Sequence, residues 1–423
     1  MPAPLLPAVA APDSVDKDEP DPRIRPIWGV FLVKMYAKSM IYWGILLECT
    51  KEGVTMPAHE KRVLSLDGLR GLGALMVFLY HVDIMVKPFG AEGPSLFPGT
   101  ASVMVFFILS GIVLSLVPFK HMGNGGYDWL GYYPRRVVRL CVPLFAAIAL
   151  ALPAGYVAWR LGSTSRSALA VAYDAGLPTA VHDILMQFDV LFNVSDGVNN
   201  LFGAQLVRVD SPVWSMSWEL WFSLTLPLAI WCISRIRRTG LAVVATFIAV
   251  LVSYWTGYFP LRLCLMFWLG VMVARRFDKI KAVKLSILAE LALLVASVGV
   301  IELSLAWHPG GVLETLESTA MNAACLVVVV VAIADGFTRR ALSAAPMIFL
   351  GKVSYSLYLT HAIVIGALAA LLPKLGIVEP LAIAAVSLPA SMFVAVAFWR
   401  IVEVPSMNLS RSLASSGPRD AVR

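Results

Sequence analysis

The feature that most constrains this chain is its series of apolar runs, each about twenty residues long and nearly free of charge. A helix of that length crosses the hydrocarbon core of a bilayer. Across 423 residues, 59% of side chains are hydrophobic and only 14% are charged. So few charges could not cover the outside of a water-soluble fold of this size. The reading is an all-α polytopic transmembrane helix bundle.

Ten spans are predicted, near 66–86, 100–118, 139–159, 214–234, 241–258, 261–275, 285–305, 321–335, 347–372 and 380–401. Loop charge tests that count. Basic clusters fall in alternate connections: Lys61 and Arg62; Arg135, Arg136 and Arg139; Arg235, Arg237 and Arg238; Arg275 through Lys284; Arg339 and Arg340; and the C-terminal tail. Cytoplasmic loops carry such an excess, so both ends of the ten-span unit are expected in the cytoplasm. The net charge of +7 therefore reports topology, and no nucleic-acid partner is expected.

Three regions follow. Residues 1–55 form an N-terminal extension, Pro- and Asp-rich and predicted disordered at first, then interfacial because Lys34 and Lys38 interrupt its apolar stretch. Residues 56–405 form the ten-helix domain, and residues 406–423 a cytoplasmic tail. The longest external connection, 160–213, suits either a lid or a solvated loop. The five cysteines are scattered without a CxxC pair, so no metal is expected.

Ionisable groups inside spans cost several kcal/mol in hydrocarbon and are normally turned inward and used. Here they are Asp67, Arg70, His81, Glu219, Arg262, Glu290 and His361. Asp67 and Arg70, three apart, can pair on one helix face. Arg70 and His81, eleven apart, share a stripe and are separated by about 16 Å along the axis. Ser354, Tyr358 and His361 form a second polar seam, which would also serve as interhelical packing glue. Trp214 and Trp218 suit an interfacial belt, whereas Glu219 between them and the apolar run needs a partner. Arg262 and the two histidines are the candidates. Arg135, Arg136 and Arg139 follow Pro134, a residue that suits a helix start, and would bind phosphate there or serve as an ordinary positive-inside flank. No Walker loop, GxSxG elbow or HExxH occurs, which argues against NTP-driven transport and serine or zinc hydrolysis.

Six stretches, LDGLRGLGALMVFLYH (66–81), VFFILSG (105–111), YYPRRVVRL (132–140), SPVWSMSWELWF (211–222), RLCLMFWLGVMVA (262–274) and GKVSYSLYLTH (351–361), resemble in order the acyltransferase-3 family of bacterial membrane acyltransferases. The resemblance covers almost all of 62–404, and Met216 stands where the family's WSL motif has Leu. It implies an integral inner-membrane O-acyltransferase that moves an acyl group, most often acetyl, from cytoplasmic acyl-CoA to a hydroxyl of a surface or extracellular polysaccharide or glycolipid. It implies that Arg70 and His81 are essential and that Arg135, Arg136 and Arg139 hold the coenzyme A phosphates. His81 is then the expected general base, with Asp67 and Glu219 beside it, and a covalent acyl-histidine relay is the alternative to direct transfer. Arg262, Trp214, Trp218, Ser354, Tyr358 and His361 would line the substrate site. The alternative class is a secondary transporter or flippase for a glycan or lipid-linked sugar. No repeat symmetry or broken-helix pair supports it.

Overall fold

A computed structural model of the chain describes residues 63–88, 95–122, 127–161, 188, 211–307 and 310–415. The expected extension 1–55 and most of the 160–213 connection lie outside them. Each predicted span falls on a helix: α1 (Leu64–Val86), α2 (Gly99–His121), α3 (Trp129–Arg160), α4 (Trp214–Arg235), α5 (Thr239–Trp255), α6 (Phe259–Arg275), α7 (Ile287–Ala306), α8 (Gly311–Ile333), α9 (Ala345–Leu371) and α10 (Pro380–Phe398). A terminal helix, α11 (Val404–Ser415), follows a π-helical stretch at Trp399–Glu403. Among the described residues, eight segments are long and apolar enough to cross a membrane. Helices α5 and α6, 17 residues each, fall short of that length.

Two boundaries differ from expectation. Helix α3 begins at Trp129, well before residue 139, because Asp128 caps it by accepting from the Gly131 N–H at 2.8 Å. Pro134 therefore lies inside the helix and does not start it. Helix α8 begins at Gly311, ten residues before the predicted span at 321, and takes in Glu314 and Glu317. Its apolar C-terminal part drew the boundary inward, and the polar first turns gave no hydropathy signal.

Close helix crossings organise the core. The most extensive contacts join α1 to α9 and α2 to α6. In a bundle without a hydrophobic drive between helices, such contacts rest on small residues that let backbones approach. At the first crossing, a β-carbon on Gly71 would sit 2.6 Å from the Gly351 nitrogen, and one on Gly351 would meet the Asp67 carbonyl. At the second, Gly111 lies against the Phe267 carbonyl and Gly270 against the Ile108 carbonyl. Leu263, Met266, Phe267 and Leu269 of α6 are fully buried beside Ile108 and Ile112 of α2.

Glu290, expected as an intramembrane working group, instead caps a short helix. Its carboxylate accepts from the Phe337 and Thr338 N–H groups and from Thr338 Oγ1, at 2.7, 2.7 and 2.6 Å. That satisfies helix-end donors that have no intrahelical partner, and α7 is thereby tied to the Phe337–Leu342 turn.

The α2–α6 crossing predicts a sharp contrast. Gly270→Val forces the two backbones apart and costs about 3 kcal/mol or more, the upper range for overpacking. Gly299→Val, with open space around its Cα, costs little. Thermal melts and size-exclusion profiles of the detergent-purified variants check this.

Candidate functional site

Arg70 and His81 both face α9, as their shared stripe requires, and each meets a residue of the Ser354–Tyr358–His361 seam or its neighbours. Arg70 Nε donates to Ser354 Oγ at 3.0 Å, and its Nη2 donates to the Gly351 carbonyl at 2.9 Å. Asp67 Oδ1 lies 3.4 Å from the same guanidinium. Part of that guanidinium stays accessible, with 32% of the side chain exposed.

Three turns along the same face of α1, His81 meets His361. The rings cross at 70° with centroids 4.8 Å apart. His361 Nδ1 lies 3.0 Å from the Leu357 carbonyl, and His81 Nδ1 lies 2.8 Å from the Val77 carbonyl. A carbonyl accepts only, so in each neutral ring the proton sits on Nδ1. His361 Nε2 then holds a lone pair, and it lies 3.2 Å from His81 Nδ1–H. The consequence is that His81 Nε2 carries a lone pair as well. His361 is fully buried, whereas His81 is partly exposed. Of the two imidazoles, His81 is the more accessible.

Tyr358 extends the seam to α4. Its hydroxyl donates to the Pro212 carbonyl at 2.9 Å and shares a 2.7 Å hydrogen bond with Ser215 Oγ. The start of α4 is thereby held against the histidine pair, with the Tyr358 and His361 rings 6.0 Å apart.

The partner of Glu219 is neither Arg262 nor a histidine. Glu219 pairs with Arg136 and accepts from Ser110 Oγ of α2 at 2.9 Å. Arg136 Nε donates to Ser223 Oγ at 2.9 Å, so two nitrogens of the guanidinium are bound to α4. Arg262 stacks instead on Tyr254, with its Cζ 3.6 Å from the ring centroid. The reason is local: α5 and α6 are joined by a tight turn at Gly257, which sets the two residues side by side.

The three arginines of α3 therefore diverge. Arg135, half-buried, lies 3.6 Å from the exposed Asp128. Arg136 is buried against Glu219. Arg139 is exposed. Trp214 packs on Phe259 with ring centroids 5.6 Å apart. Trp218 is buried beside Phe222, and its Nε1 has no hydrogen-bond partner among the described residues.

Four participants were not singled out from sequence: Ser110, Ser223, Ser356 and Glu403. The serines are too common in apolar helices to stand out. Glu403 was hidden because the last span was expected to end at 401.

Residues 63–400 match the family model described as an acyltransferase domain. Neither the curated proteins nor the solved structures contain a match.

Breaking the Arg136–Glu219 pair has an asymmetric cost. Arg136→Ala strands a buried carboxylate and destabilises the protein by about 3–5 kcal/mol. Replacing both partners together, by Arg136→Met and Glu219→Leu, recovers most of that loss. Thermal denaturation of the single and double variants measures the difference.

Proposed function

We propose, on the premise that this chain belongs to the acyltransferase-3 family, that it is a membrane O-acyltransferase carrying acetyl or another acyl group from acyl-CoA to a carbohydrate hydroxyl. Its helices place it in a membrane as a multi-pass protein. The observation that carries the catalytic reading is the tautomer-locked histidine pair. A partly exposed imidazole with a lone pair at Nε2, backed by a buried imidazole, is a general base held in one orientation.

The reaction then runs in one displacement. His81 Nε2 takes the proton of the acceptor hydroxyl as that oxygen attacks the thioester carbonyl. The tetrahedral intermediate collapses with cleavage of the carbon–sulfur bond. The coenzyme A thiolate leaves and recovers the proton from the imidazolium, so the base is restored. His361 positions His81, and it also shares the positive charge that develops on the first ring.

Charge along the α1 stripe suits the donor. An acyl-CoA has phosphates at one end and its thioester at the end of a long unbranched arm. Arg70 and His81 are separated along one face by about 16 Å of helix, with the cation nearer the end where Lys61 and Arg62 stand. Arg135 and Arg139 contribute positive charge for the phosphates, while Arg136 anchors their helix through Glu219. Arg70 lies along the arm. On this reading α5 and α6 also cross the membrane, giving ten spans with both ends of the domain in the cytoplasm, as the alternating basic loops support. The acceptor is a surface or extracellular polysaccharide or a glycolipid, and the membrane is a bacterial inner membrane.

His81→Ala removes the base and lowers acyl transfer by about 10²–10⁴-fold, the usual worth of general base catalysis. His361→Asn leaves His81 in place and loses less, about tenfold to a hundredfold, through kcat. The check is transfer of radiolabel from acetyl-CoA to membrane glycans in vesicles, with protein levels matched. Near-normal transfer by a folded His81→Ala protein would sink the assignment.

A further inference from the structure

A second polar centre lies apart from the histidine pair. Between the end of α5 and the start of α8 a cavity of about 400 Å³ opens, lined by Tyr254, Trp255, Gly311, Glu314 and Thr315. That volume suits a small organic ligand, and so does a lining of aromatic rings with a few polar groups. Its end of the bundle can be traced through contacts. Cys325 Sγ of α8 donates to the Ala101 carbonyl at 3.6 Å. Gly99, in the same first turn of α2, lies against Tyr80, the neighbour of His81. Thr315 stands about 15 Å farther along α8 than Cys325. The cavity is therefore at the His81 end of the bundle, and no histidine lines it.

Its inner wall is held in advance of any ligand. Asn322, fully buried, donates from Nδ2 to the Tyr254 hydroxyl at 2.9 Å and to the Ser318 carbonyl at 2.8 Å. Arg262 covers one face of the same ring, with its Cζ 3.6 Å from the centroid. Both supports carry a buried polar atom without a partner among the described residues, Asn322 Oδ1 and Arg262 Nε. Buried polar atoms are ordinarily satisfied, so such orphans mark a place built for more than packing. The Tyr254 hydroxyl accepts from Asn322, which leaves its own proton to donate. Thr315 Oγ1 donates to the Gly311 carbonyl at 3.2 Å and keeps its lone pairs for another donor. Glu314 is exposed and has no ion-pair partner among the described residues. Trp255 presents its ring at the rim, 65% exposed.

We propose that this cavity is an acceptor subsite, which holds one neutral sugar unit of a glycan while a different unit reacts at His81. The proposal rests on the carbohydrate-acceptor reading above. A pyranose has an apolar C–H face and a rim of hydroxyls. Trp255 offers a flat apolar surface to the first, and Tyr254, Glu314 and Thr315 offer a donor and acceptors to the second. The carboxylate also sets the class of sugar. Glu314 is the one charged side chain in the lining, and the stretch 302–319 holds three glutamates and no Lys or Arg. A uronate or other acidic sugar meets like charge there, which suppresses wrong partners. Arg262 serves the subsite through Tyr254, as a positioning residue whose guanidinium is spent on the ring.

The test measures acetyl transfer from acetyl-CoA in vesicles that carry the full-length protein. The acceptor is surface polysaccharide of the parent cells, freed of its esters by mild alkali. Trp255→Ala is expected to raise KM for this glycan about tenfold and to leave kcat and the KM for acetyl-CoA within about twofold, as when binding is lost equally from ground and transition states. So exposed a ring leaves no void in the core when it is removed. Glu314→Gln tests the charge. The same polysaccharide with its primary alcohols oxidised to carboxylates is the anionic probe. Wild-type protein is expected to show a KM about tenfold higher for the oxidised form than for the neutral one, and Glu314→Gln to cut that ratio to about threefold or less. A tryptophan that only anchors the helix end at the lipid headgroups moves neither constant. An unchanged glycan KM in Trp255→Ala therefore overturns the proposal, and so does a ratio that Glu314→Gln leaves unaltered. If wild-type vesicles transfer no acetyl group to the glycan, the acceptor reading itself fails and the subsite falls with it.

Discussion

A guanidinium between apolar helices must find its acceptors inside the protein, since the hydrocarbon offers none. Arg70 finds them on α9, at Ser354 and at the Gly351 carbonyl. That carbonyl is within reach because the crossing is built on Gly71 and Gly351, whose missing side chains let the two backbones touch. The rest of the site depends on this register. With α1 and α9 locked at Arg70, the same two faces continue to His81 and His361, which then meet at hydrogen-bond distance. A rotation of either helix would separate both pairs together.

The second organising rule is that Arg70 and Arg136 each have a carboxylate close by, one on the same helix and one on a neighbour. Asp67 serves Arg70 within α1, and Glu219 of α4 serves Arg136. Serine hydroxyls complete each group, Ser354 in the first and Ser110 and Ser223 in the second, while Ser356 donates to Glu403. Buried pairs of this kind add little net stability once desolvation is counted, though breaking one is expensive. Their effect here is on geometry. They tie α1, α2, α3, α4, α9 and the α10–α11 junction together through contacts that tolerate no slippage.

Hydropathy and loop charge were enough to place every long helix, because the period of an apolar span is an average over some twenty residues. They missed where α3 and α8 begin, because a capping aspartate at 128 and a polar first turn at Glu314 carry no apolar signal. Within the site, the α1 stripe and the α9 seam were legible from spacing alone, since a rigid helix fixes which residues share a face. Partner choice was not legible. Glu219 could have met any cation from another helix, and only the packing of α3 against α4, set by Tyr132 and Tyr133 reaching the Ser223 and Leu224 carbonyls, selects Arg136 over Arg262. Glu403 was invisible for a different reason: a π-turn shifts the helical register by one residue, and no periodicity argument anticipates it.

The histidine pair shows why a buried second ring matters to an accessible first one. An isolated imidazole on a helix could carry its proton on either nitrogen and rotate between them. His81 cannot, because the Val77 carbonyl and the His361 lone pair both claim the Nδ1 proton. His361 in turn is fixed by the Leu357 carbonyl on its own helix. The basic nitrogen of His81 is thus decided by two backbone carbonyls one helical turn away, not by any ligand. Orientation of this kind is paid for during folding, at the Arg70 crossing that sets the register, so it is already in place when a hydroxyl arrives.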